Sequence, residues 1–191
     1  SAMQQDVIWA PWDGPGLEHL RLTATRRGLV ADGVVVGLGD AGPFRLRYLV
    51  RCDPQWQVRR VDLTLTAPVL RRLALWADGE GRWTTPQGTP LPSLDGCVDV
   101  DIAVTPFTNT LPIRRLALLP GRSTEVTVAY VPVPDLRPRR AKQRYTCLEA
   151  EAAGARYRYE GLDTGFTADL AVDADGLVVD YPGLVHRVWP Q

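Results

Sequence analysis

Residues Asp99 to Leu118 read DVDIAVTPFTNTLPIRRLAL, a stretch dense in polar groups but set between apolar residues at regular spacing. Val98, Val100, Ile102 and Val104 recur at every second position, which predicts a strand. Asp99 and Asp101 then share its opposite face, about 7 Å apart. Pro106 holds Thr105 in an extended conformation and ends the strand there. Beyond it, Thr108 or Asn109 can cap the free N–H groups of a short helix running through Leu116. Such a start keeps Pro112 in the first turn, where proline is tolerated, and puts Arg114 and Arg115 near the end that favours cations.

Outward from this stretch, alternation with period two dominates. Phe44, Leu46, Tyr48 and Val50 point one way, while Arg45, Arg47 and Arg51 form a cationic outer or cavity-facing side. From Trp56 to Thr66 the phase slips near Arg59 and Arg60, which predicts a β-bulge. Val126 to Tyr130, Tyr157 with Tyr159, and Phe166 to Val172 read as further strands. Among the Asp-Gly pairs, Asp32-Gly33, Asp78-Gly79 and Asp175-Gly176 separate apolar runs as tight hairpins do, whereas Asp95-Gly96 fits the end of a loop. Thr84 to Gly96 is a proline- and glycine-rich loop long enough to serve as a lid or rim. The fold class is mainly β, a large curled antiparallel sheet with one or two short helices.

The 191 residues fit a single domain, 1–191, able to bury a core without staples. Ser1 and Ala2 before Met3 have the look of a cloning scar. A formal net charge of +0 gives no global field for nucleic acid or an anionic membrane. Lys142 is the only lysine, so positive charge is carried by arginine, whose fork suits carboxylate or phosphate. Cys52, Cys97 and Cys147 match neither a zinc spacing nor an even disulfide framework and read as reduced, buried thiols. No apolar run spans a membrane and no signal peptide is visible, so a cytoplasmic location is expected.

Candidate chemistry centres on the opening stretch. Asp99 and Asp101 could hold a divalent metal, work as an acid/base pair on a sugar-like substrate, or pair with Arg114 and Arg115 as a structural brace shared with Thr105. Thr105, Thr108, Asn109 and Thr110 could cap backbone groups or bind a sugar. The six tryptophans with Tyr157, Tyr159 and Tyr181 suit carbohydrate or lipid sites as well as β cores, and Trp83 and Trp12 stand out because turns surround them. His19 and His186 occur in no nucleophile context, and no zinc, phosphate-loop or dinucleotide fingerprint is present. No metal or cofactor is expected, and no nucleic-acid partner.

The Asp99–Leu118 segment and the DADGLVVDYPG segment, Asp173 to Gly183, resemble the signature of the bacterial family called "Putative glycolipid-binding". The resemblance implies a spiral β-roll or incomplete barrel wrapped about an apolar interior. It further implies a lipid or glycolipid ligand held there without catalysis, its head group touching Trp83, Asn109, Arg114, Arg115 or Tyr181. An interaction module without a small ligand, and a hydrolase or transferase using Asp99 and Asp101, are the competing classes.

Overall fold

The structure, a computed structural model, describes residues 3–191; Ser1 and Ala2 lie outside the described residues. A meander of seven strands comes first: β1 (Met3–Pro11), β2 (Gly16–Thr25), β3 (Gly28–Gly39), β4 (Gly42–Cys52), β5 (Val58–Ala67), β6 (Arg71–Ala77) and β7 (Trp83–Thr84). A short strand β8 (Asp99–Ile102) and the helix α1 (Phe107–Leu116) follow. A second meander then runs through β9 (Ser123–Val131), β10 (Arg139–Glu151), β11 (Gly154–Gly161), β12 (Phe166–Asp173), β13 (Val178–Tyr181) and β14 (Val185–Trp189).

All fourteen strands belong to one sheet, ordered β7-β6-β5-β4-β3-β2-β1-β14-β13-β12-β11-β10-β9-β8. Its two meanders join where β1 pairs antiparallel with β14, Trp9 facing Arg187. The sheet is open, with β7 and β8 at its edges. Only β8 runs parallel to its neighbour, β9, with Asp99 opposite Val128.

This sheet rolls up so that its β8 edge ends inside. Val100 and Ile102 pack into the core of the first meander with Leu20, Leu46, Leu63 and Trp83. The other face of β8, carrying Asp99 and Asp101, looks toward the core built by Tyr145, Cys147 and Leu170 of the second. Strand β9 is divided likewise, Ala129 and Val131 lying in the first core and Val126 and Val128 in the second. Helix α1 bridges the two, contributing Phe107 and Leu111 to one core and Ile113 to the other. Polar positions of β8 therefore have no wet side to face.

Alternation locates most strands correctly. In β4, Leu46, Tyr48 and Val50 are buried while Arg45, Arg47 and Arg51 are exposed on the outer surface, Arg47 pairing with Asp32 at 3.1 Å. The phase slip in β5 is a bulge: Arg51 faces Arg60 but Cys52 faces Val58, leaving Arg59 as the extra residue. Cys52, Cys97 and Cys147 are buried and unpaired. Among the described residues no helix is long and apolar enough to cross a membrane.

Three local expectations are corrected. Asp32-Gly33 is no hairpin but lies in mid-strand, because Gly33 serves packing: a Cβ there would sit 2.1 Å from Cζ of Tyr48, whose ring crosses the strand at this point. Helix α1 starts at Phe107, so Pro112 is its sixth residue and lies in the interior rather than the first turn. The earlier start is set by Thr105, whose Oγ1 accepts the Phe107 N–H at 3.1 Å. Finally, Thr84–Gly96 is no lid over a site: it is pinned by the Thr84–Pro90 bridge and the buried Leu94.

Gly33→Ala should force the Tyr48 ring out of place and lower stability by about 2–3 kcal/mol in chemical denaturation. A glycine that merely marked a turn in this non-strained part of β3 would give a neutral or stabilising alanine.

Candidate functional site

A cavity of about 440 Å³ opens between the meanders, at the end of β8. One wall is Trp9, Leu17, Glu18, Val35 and Phe44 from the first meander; the facing wall is Tyr130, Tyr159, Phe166 and Tyr181 from the second. Between them lie Asp101, Thr105 and Asn109, from β8, its following turn and α1. The strand that enters the roll thus delivers its polar residues to the cavity.

Glu18 is the buried acid of this site, 3% exposed. It lies in the inward phase of β2 with Leu20 and Leu22, and its Oε2 accepts two hydroxyls, Tyr48 Oη at 2.6 Å and Thr105 Oγ1 at 2.5 Å. Tyr48 reaches that far only because Gly33 leaves the space above β3 empty. Burial pushes the Glu18 carboxyl up to about 8, against the two hydroxyl bonds that favour its ionised form. With Oε2 occupied by two donors, the acid proton belongs on Oε1, which has no protein partner, and Glu18 is part of the cavity lining.

Asp101 accepts Gln143 Nε2 at 2.7 Å and the Thr108 hydroxyl at 3.4 Å, and burial raises its pKa too. Asn109 donates its Nδ2 to Tyr145 Oη at 2.9 Å, which leaves the amide oxygen as an acceptor. The Tyr130, Tyr159 and Tyr181 rings add further hydroxyls. Among the described lining residues there is no lysine, arginine or histidine. Around the opening, Leu17, Val36, Leu38, Phe166 and Leu184 are exposed apolar side chains. Carboxyl, amide and phenol groups inside and hydrocarbon outside define the chemistry the cavity can recognise.

Sequence reasoning named Trp83, Asn109, Arg114, Arg115 and Tyr181 as ligand contacts, and the fold brings only Asn109 and Tyr181 to the cavity. Trp83 is in the first core, its indole N–H donated to the Cys97 carbonyl at 2.9 Å. Arg114 lies over the Trp56 ring and donates to the Asp175 carbonyl at 3.2 Å. Arg115 forms a two-pronged pair with Asp99 at 2.7 and 3.3 Å, Asp99 being wholly buried. Of the three brace positions, Asp99 alone meets an arginine. Asp101 and Thr105 face the cavity instead, and Asp99 does not, so the two aspartates do not act as one acid pair there.

Leu17 and His19 are exposed outward residues, and Glu18 lies between them on the inner face. Reading the strand from Leu20 and Leu22 exposes a carboxylate on the core-facing side, the signal that could have found it. The two signature segments meet here: Thr110 Oγ1 donates to the Gly176 carbonyl at 2.7 Å, and the second segment supplies Tyr181. Trp9 ties the first meander to the same segment through Nε1 and the Val178 carbonyl at 2.8 Å. Among the described residues no cluster of His, Cys, Asp and Glu could hold a metal ion.

Since the folded protein holds the Glu18 proton more tightly than the unfolded chain does, folding stability falls as pH rises from about 4.5 toward 8. Glu18→Gln should flatten this decline in thermal unfolding scans, leaving a smaller one of the same sign from Asp99 and Asp101, whose pKa values burial also raises. An unchanged profile would contradict the assignment. Arg115→Met strands the Asp99 charge and should cost about 3–5 kcal/mol in denaturant unfolding.

The family model described as "Putative glycolipid-binding" matches residues 6–187. A DUF1089 family protein from Pseudomonas aeruginosa, solved by crystallography, is 39% identical and superposes with a TM-score of 0.83. That alignment covers 93% of this chain and 95% of the Pseudomonas chain. No curated protein matches. Matched from the first strand to the last, and carrying both signature segments against one cavity, the chain belongs to the "Putative glycolipid-binding" family.

Proposed function

We propose that the protein binds a glycolipid or a similar sugar-bearing amphiphile without transforming it. The sugar occupies the cavity between the meanders and the hydrocarbon leaves along the apolar rim. The observation that carries this reading is the composition of the cavity: carboxyl, amide and phenol oxygens inside, exposed Leu17, Val36, Leu38, Phe166 and Leu184 at its mouth, and no cation in its described lining.

Hydroxyl-rich head groups are donors as well as acceptors, and an acceptor-rich wall complements them. Tyrosine rings add flat apolar faces against which a sugar ring stacks, with a polar tip to orient it. A phosphate or sulfate head would instead place its charge beside Glu18 and Asp101, with no arginine in the lining to compensate. The volume suits a sugar and a short length of chain, so most of an acyl chain runs along the rim or beyond it.

Calorimetric titration below the critical micelle concentration tests the assignment. Octyl glucoside should bind at one site, and octyl sulfate at least about ten-fold more weakly. Tyr159→Phe and Asn109→Leu should each weaken the glycoside about three- to ten-fold, the cost of one hydrogen bond or slightly more. Equal binding of the sulfate, or no binding of the glycoside, would rule the reading out.

A further inference from the structure

Arginine is abundant in this chain, and several acids elsewhere in the fold are matched with it. Asp6 meets Arg21 at 2.9 Å, Asp32 meets Arg47 at 3.1 Å, Asp99 meets Arg115 at 2.7 Å, Asp169 meets Arg158 at 2.9 Å, and Asp173 meets Arg187 at 2.7 Å. Glu18 and Asp101, which line the cavity, have no such partner. Every protein partner of these two is neutral: Tyr48 and Thr105 for one, Gln143 and Thr108 for the other.

The contrast within β8 is sharp. Asp99 and Asp101 are two residues apart on one face, yet the residue turned toward the interior of the second meander receives the arginine and the residue on the cavity does not. Burying acids without counter-ions is costly, so Glu18 keeps its proton, and both acids lie at the cavity. A second observation also points to a ligand: Glu18 is 3% exposed and lines the cavity, and its Oε1 has no protein donor. The other titratable groups facing this space are Asp13, Tyr130, Tyr159 and Tyr181, none of which supplies positive charge.

We infer that Glu18 and Asp101 form the receptor for a protonated amine on the ligand, so that the bound head group is an amino sugar or a comparable polar amine. The inference rests on the glycolipid reading and names the head-group class within it. An ammonium brings the positive charge and the donors that favour ionised carboxyls, Glu18 releasing its Oε1 proton to solvent as the amine seats, and the tyrosine faces nearby favour a cation as well. With fewer than three metal-binding side chains gathered there, the pair suits an organic cation better than a metal ion.

Titration at about pH 6 of octyl glucosaminide, its N-acetyl counterpart and octyl glucoside against the intact protein separates the possibilities. The amine should bind at least about ten-fold tighter than either neutral glycoside, the order expected for a charge-assisted bond made out of water. That ratio should fall close to one in Glu18→Gln and Asp101→Asn. The wild-type ratio is decisive even where a variant fails to fold. Neutral glycosides binding as well as the amine would overturn the amine receptor and leave the glycolipid reading standing; absence of binding by all three would overturn both.

Discussion

Strand β8 has no exposed face, and the architecture follows from how the chain copes with that. Its apolar residues serve one core, so its aspartates must enter the other, where a carboxylate needs a partner. Arg115 supplies one at 2.7 Å, from the last turn of the helix that follows. This pair fixes the angle between β8 and α1, and α1 in turn inserts Phe107 into one core and Ile113 into the other. Without it, the inner edge of the roll would hold two apolar surfaces apart instead of joining them.

The cavity is a by-product of the same arrangement. Ile102 ends the strand, Thr105 and Asn109 sit where chain direction changes, and the two meanders do not close over that turn. Across the gap, Thr105 and Tyr48 reach the same Glu18 oxygen, so β2, β4 and the β8–α1 turn are held by one carboxyl. The two oxygens of one side chain are thus treated differently: Oε2 binds the protein and Oε1 has no protein partner.

Period-two patterning was enough to read most strands, the bulge at Arg59 and the turn at Asp175-Gly176, because each depends on neighbours in sequence. Gly33 was misread for the opposite reason. Its meaning lies in the ring of Tyr48 on the neighbouring strand, and an Asp-Gly pair looks the same in a hairpin as under an aromatic ring. The polar density of Asp99 to Leu118 was legible, but not which aspartate takes the arginine, since that choice is made by the packing of β10 and α1. Trp83 looked available because turns flank it, yet the roll carries those turns against the first core. Glu18 is legible only from the phase of Leu20 and Leu22, since one residue's step along a strand exchanges inside for outside.

Pairing of β1 with β14 places residues near the two ends of the sequence side by side in the middle of the sheet. Trp9 meets the Val178 carbonyl across 169 positions of sequence. The β1–β7 meander contains mostly local pairings and can assemble as the chain emerges from the ribosome. Its β1 edge then stays unpaired until the final strands have been made. The cavity, which needs walls from both meanders, exists only after that late joining. The cavity therefore reports the joining of the two meanders: a chain truncated before β13 would retain much of the first core while lacking part of the cavity wall.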